Sequence, residues 1–202
     1  MNNSSKLVQG IGVKGTTYPT WDGKKMLKEY AAWGSMLLRC TEKLWIVRPT
    51  YQGTTCSENF KSYTFFYEWC HKQVGFNNRD ENSKQWHLDK DLLFKGNKAY
   101  NEDVCIFLPP TINHLLTKRD SKRGEYPLGV SQYKRDKTYS ATCGLGKENP
   151  VYLGSYSTPL EAFLVYKKAK ESYIKQVAEQ YKSQIDPRAY KALLEYEVNI
   201  DD

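Results

Sequence analysis

The sequence predicts an α+β protein with an N-terminal helical region, a strand–turn–strand–helix unit, and a three-stranded antiparallel sheet packed on one long helix. Three observations carry this. Apolar residues recur at three- and four-residue steps in the first third of the chain. A Trp-His-Leu-Asp-Lys-Asp run, a Gly/Asn turn and a second apolar run fill its middle. Three short β-prone runs then lead into a helix start of unusual clarity, Thr158-Pro159-Leu160-Glu161.

The chain has 202 residues, 40% of them hydrophobic, which suits one medium domain or two small ones with a real core. Its net charge of +7 favours polyanionic partners. The 16 tyrosines suit surfaces that are half buried and half wet. The N-terminus lacks the apolar run of a signal peptide, and no stretch is long and apolar enough to span a membrane. Cys40, Cys56, Cys70, Cys105 and Cys143 are odd in number and contain no CxxC pair. Free thiols in a reducing cytoplasm are therefore expected. A zinc site from Cys40, Cys56, Cys70 and His71 would match no usual ligand spacing, so the cysteines read better as small buried hydrophobes.

Residues 1–20 are polar and glycine-bearing and read as a flexible lead-in. Gly10-Ile11-Gly12-Val13-Lys14-Gly15 lacks the spacing of either common phosphate loop. From Asp22 to Cys40, the residues Met26, Tyr30, Trp33, Met36, Leu37 and Cys40 predict an amphipathic helix, and Phe60, Tyr63, Phe66, Tyr67 and Cys70 predict another from Cys56 to His71. Trp86 to Phe94 reads as a strand, Gly96-Asn97 as a turn, Val104 to Leu108 as a second strand, and Thr111 to Leu116 as a helix with Pro109 and Pro110 just outside it. Residues 118–125 form a charged linker. Between 118 and 147 there are eight Lys or Arg against three Asp or Glu, an excess that extends beyond the linker.

The runs 129–133, 139–143 and 151–156 are expected as hairpin-connected strands. The helix after Thr158 should reach about Ser183 and present Ala162, Tyr166, Ala169, Tyr173, Val177 and Tyr181 inward. A short helix follows Ile185, with Pro187 near its start. The organisation is thus a lead-in (1–20), a first domain (21–117), a linker (118–125) and a second domain with a helical extension (126–202).

The carboxylates of Asp89 and Asp91 and the amide oxygens of Asn97 and Asn113 are hard donors on a small unit, suited to a hard divalent cation such as magnesium. The ordered set Trp33-x-x-Met36-x-x-Arg39-Cys40, Trp69, Leu88-Asp89-Lys90-Asp91, Gly96-Asn97, Tyr100-Asn101, Cys105 and Asn113 resembles phage HNH homing endonucleases across residues 20–117. The resemblance implies a ββα-metal unit with Mg²⁺ or Mn²⁺ at a scissile phosphate. Asp89 and Asn113 would be the leading metal ligands and Asp91 a second carboxylate; Asn97 would orient a neighbour or shape the turn. The family's first histidine is replaced by Lys90, which needs a strongly lowered pKa to act as a base and could instead contact phosphate. His87, which shares Asp89's strand face, is the substitute base, with His114 next.

Residues 124–182 resemble the DNA-binding domain of plant ethylene-response factors (the Apetala-like type), through Gly129-Val130, Tyr139-x-Ala141, Leu153-Gly154-x-Tyr156-x-Thr158-x-x-Glu161-Ala162 and Tyr166. That resemblance implies a sheet laid in the DNA major groove. Lys134, Arg135 and Lys137 would meet phosphates, and Gln132, Tyr133 and Tyr139 would meet bases or sugars.

The expectation is a phage-encoded, metal-dependent endonuclease or nickase acting on double-stranded DNA in the cytoplasm of an infected bacterium, with a homodimer among the expected assemblies. Lys90 supports a second reading, a catalytically inactive descendant acting as a DNA-binding regulator or interference factor. A protein-binding module is a third, although no long exposed apolar stripe argues for it.

Overall fold

A computed structural model describes residues 7–117, 125–133, 135–146 and 149–200. The expected linker falls almost wholly outside these residues, as does Lys134. The fold is α+β, with seven α-helices among the described residues and a three-stranded antiparallel sheet packed on a long helix. Two compact units are present: residues 1–110 with 184–189, and residues 111–183 with 190–202. No helix among the described residues is long and apolar enough to cross a membrane.

The first unit is built on helix α1 (Lys28–Arg39), which buries Trp33, Met36 and Leu37. It starts six residues later than the periodicity predicts. Asp22 Oδ1 accepts the backbone N–H groups of Lys24 and Lys25, both at 2.9 Å, and Gly23 takes φ +95°. This side-chain-capped turn outcompetes a helical turn there. Met26 consequently drops off the apolar stripe and is half exposed.

Part of the expected flexible lead-in is bonded to this core. Val13 donates to Lys61 O at 2.8 Å and accepts from Tyr63 N at 3.0 Å. A Cβ on Gly12 would lie 2.2 Å from Leu37 Cδ1, so only glycine allows so close an approach.

Helix α2 (Glu42–Val47) and a 3₁₀ turn (Pro49–Tyr51) follow; neither was anticipated, and neither contains a buried residue. The single helix expected over 56–71 is instead strand β1 (Thr55–Cys56), helix α3 (Glu58–Lys61) and helix α4 (Tyr63–His71). Ser62 breaks it by ending α3 in an extended conformation (φ −87°, ψ 121°), and its hydroxyl caps α4 through Phe65 N. Phe60, Phe66, Trp69, Phe76 and Phe107 close an aromatic core with edge-on and tilted ring pairs.

Strand β2 (His87–Asp89) pairs antiparallel with β4 (Ile106–Leu108), and β3 (Ala99–Tyr100) pairs parallel with β1. Helix α5 (Pro110–Leu116) comes next in the chain and begins with Pro110 in its first turn rather than outside it.

In the second unit β5 (Val130–Tyr133), β6 (Thr138–Cys143) and β7 (Val151–Tyr156) form the sheet in sequence order. A bulge after Ala141 leaves Leu153 between the partners Gly154 and Tyr152. Helix α6 (Pro159–Tyr181) starts with the expected capping box between Thr158 and Glu161. Its buried face is Ala162, Phe163, Tyr166, Ile174, Val177 and Ala178. Tyr173 and Tyr181, expected inside, are only partly buried. Cys143, Phe163, Tyr166 and Val198 form the sheet–helix core. Helix α7 (Pro187–Leu194) supplies the expected C-terminal extension.

Gly129 sits at φ +73°, and a Cβ there would meet the Tyr166 ring at 2.1 Å. Gly129→Ala combines left-handed backbone strain with a clash in the core. We expect it to lower stability by about 1–3 kcal/mol, read from the urea midpoint.

Candidate functional site

Asp89 ends β2 and is only 8% exposed. Its Oδ1 accepts the backbone N–H groups of Asp91 at 3.1 Å and Leu92 at 2.8 Å. The carboxylate thereby turns the chain, which is why the predicted strand stops at Asp89 instead of continuing to Phe94. Asp91 is consequently off the strand, so the expectation that Asp89 and Asp91 share a strand face does not hold. The turn nevertheless brings them together. Burial, followed by the charge of Asp91, pushes the Asp89 carboxyl up to about 6.

Lys90 is as buried as Asp89. Its Nζ donates to the Asp91 carboxylate at 3.1 Å and to the Asn97 carbonyl at 2.8 Å. Both bonds hold its Nζ as a donor within the loop. Asn97 shapes the loop, one of its two expected roles. Its side-chain amide donates to Lys90 O at 2.7 Å and Ala99 O at 2.8 Å, and its carbonyl accepts from Ala99 N at 3.1 Å. Gly96, at φ +83°, allows the reversal just before it.

His87 lies on β2 two residues before Asp89, which puts both on one strand face. Asn113 and His114 lie on α5 in the second unit, the first partly buried and the second exposed. Sequence reasoning did not place Arg39 and Tyr100 at the site. Arg39 Nη1 donates to the Tyr100 hydroxyl at 3.1 Å, and the charge of Asp89 acts on Arg39. A basic residue in the last turn of an amphipathic helix gives no hint of a bond to a tyrosine 61 positions on.

The donor set fits a hard cation in part. Asp89 and Asp91 are oxygen donors held close enough to repel, and a divalent ion relieves that repulsion. The Lys90 ammonium already neutralises some of the charge at Asp91. Among the described residues no group of three or more His, Cys, Asp or Glu is arranged to hold a metal.

Strand alternation divides the expected DNA contacts between two faces of the sheet. Val130 and Ala141 are register partners on the helix side, so Gln132 and its partner Tyr139 also face that way. They bond one another at 3.2 Å, and Gln132 also accepts from the Tyr126 hydroxyl at 3.0 Å. The opposite face carries Tyr133, and a row of register partners, Ser131, Ser140 and Ser155, crosses all three strands. Tyr152 adds a second exposed ring on that face, a position the sequence reading passed over. Arg135 and Lys137 are exposed at the β5–β6 connection, with Arg135 paired to Asp136 at 3.1 Å.

The Asp89 carboxyl yields a stability prediction. Its folded pKa is raised from an ordinary 3.8 to about 6. Within that window the unfolded chain releases the proton while the folded chain keeps it. This group's contribution is therefore complete below the lower value and is lost as pH rises through the upper one. The urea midpoint of Asp89→Asn should fall less between pH 4 and pH 6 than that of the parent chain. No family model, curated protein or solved structure matches this chain.

Proposed function

We propose that the chain is a divalent-metal-dependent DNA endonuclease or nickase of the HNH homing type, encoded by a phage and acting on duplex DNA in the infected bacterium. The observation that carries the reading is the Asp89 turn, where a buried carboxylate and a second, half-exposed carboxylate converge on a loop clamped by Asn97. Asp89 and Asp91 would hold the cation, which would supply positive charge for the transition state and leaving oxygen. His87, on the Asp89 strand face, would take the proton of the attacking water. Lys90 would hold Asp91 and the loop rather than act on substrate.

DNA would lie on the sheet face opposite α6. Ser131, Tyr133, Tyr152 and Ser155 would meet sugars and base edges there, while Arg135 and Lys137 would meet phosphates. A homodimer with opposed sites could cut both strands. The second reading, a non-cleaving DNA-binding descendant, draws on Lys90, which stands where the resemblance expects a histidine and is bonded to Asp91 and Asn97.

Supercoiled plasmid incubated with Mg²⁺ or Mn²⁺ should be nicked or linearised by the parent protein. Asp89→Asn should cut at least about a hundredfold more slowly while still retaining DNA. DNA retention without cleavage in either ion would leave the second reading standing. Absence of salt-sensitive binding would remove both. Arg135→Ala should weaken binding to all sequences alike and lower the slope of log K against log salt by about one.

A further inference from the structure

The second unit holds a cavity of about 570 Å³ at the edge of its sheet–helix core. Part of its wall is that core: Tyr166 and Val198 belong to it, and Leu128 and Tyr196 pack against it. Helix α5 contributes Leu115, Leu116 and His114, and Gly144 and Gly146 line the cavity just after β6. None of the residues proposed to hold the cation or to meet DNA lines it.

The wall along α6 is periodic. Tyr166, Lys170 and Tyr173 are four and then three positions apart, which puts them on one face of the helix. Tyr173 lies on the expected inner stripe yet is only partly buried because it borders the cavity rather than the packed core. Two of the tyrosines are seated against glycines. Any Cβ on Gly129 would overlap the Tyr166 ring, and any Cβ on Gly146, at φ +70°, would overlap the Tyr173 hydroxyl. Walls seated in this way need little reordering when a ligand enters.

The chemistry of the lining selects a ligand class. Leucine, valine and tyrosine surface takes up an apolar body, and three tyrosine rings favour a flat aromatic one through edge-on and offset contacts. Lys170 places an ammonium in the wall, His114 adds ring nitrogens, and among the described residues no Asp or Glu lines the cavity. Such a lining attracts an anion and gives a cation no counter-charge.

We propose that the cavity bounded by α5, the end of β6 and α6 is a binding site for a small aromatic acid, with the ring system among Tyr166, Tyr173 and Tyr196 and the carboxylate on Lys170. A volume of about 570 Å³ takes a molecule of two fused rings with its carboxylate.

The test titrates the full chain, labelled with nitrogen-15, with 2-naphthoate and follows the backbone amide resonances. Those of Leu115, Gly144, Gly146, Lys170 and Tyr173 should shift along one saturation curve with a dissociation constant below about 1 mM, while those of His87, Asp89 and Asp91 stay in place. 2-Naphthylmethanol keeps the rings without the charge, and octanoate keeps the charge without the rings; each should bind at least about tenfold more weakly. Lys170→Gln should weaken 2-naphthoate about tenfold and leave 2-naphthylmethanol within about twofold. A Cβ on Gly144 meets nothing within 4 Å, so Gly144→Leu is accommodated and narrows the cavity. It should weaken both ring compounds at least about tenfold. The shift map of the parent chain stands whether or not a variant folds. No saturable shift up to about 10 mM, shifts centred on the first unit, octanoate or 2-naphthylmethanol binding as tightly as 2-naphthoate, or a folded Gly144→Leu chain that binds unchanged would each overturn the proposal.

Discussion

The loop from Asp89 to Ala99 in the first unit depends on the side-chain amide of Asn97. It binds backbone groups on both sides of a reversal, Lys90 O before it and the N–H and C=O of Ala99 after it. An amide can do this because it donates and accepts in one plane, matching the peptide groups it bridges. With the loop closed, Lys90 Nζ reaches Asn97 O, Asp89 caps the turn that starts the loop, and Ala99 enters its pairing with Thr55. The Asp91 N–H bond to Asp89 Oδ1 and the Lys90 bond to the Asp91 carboxylate keep the two acids in one turn.

Charge at this loop is settled by burial as much as by sequence. Asp89 lies inside and holds its proton to higher pH, whereas Asp91, half exposed, is paired with Lys90. The buried Lys90 ammonium is supported by a carboxylate and a carbonyl, the two kinds of acceptor that make a buried cation tolerable. A cation bound at Asp89 and Asp91 would have to share Asp91 with Lys90. That competition separates the catalytic reading from the DNA-binding one.

The second unit rests on different physics. Its sheet is closed by local hairpins, and its helix is started by a capping box and Pro159 at the first helical position. Tyr166 is the central packing element; it excludes any side chain at Gly129 and joins Phe163 and Cys143 in the core. Because the helix covers one face, the opposite face is left, among the described residues, with the hydroxyls of Ser131, Tyr133, Tyr152 and Ser155.

What could be read from the sequence was local. The capping box at Thr158, the three-strand run and the helices at Thr111 and Pro187 are encoded by neighbouring residues whose preferences agree, so their expected and observed bounds nearly coincide. Three features were decided only by tertiary structure. Asp22 and Ser62 hydrogen-bond backbone groups in ways a hydrophobic period does not register, and they moved one helix start and broke another. Sheet faces follow from register and from the side the helix covers, so Gln132 and Tyr139 went to the helix side while Tyr133 stayed outside. Arg39 and Tyr100 lie 61 positions apart in the chain and meet only in the folded first unit. Short-range hydrogen bonding can be read one residue at a time, but burial and long-range pairing are properties of the packed chain as a whole.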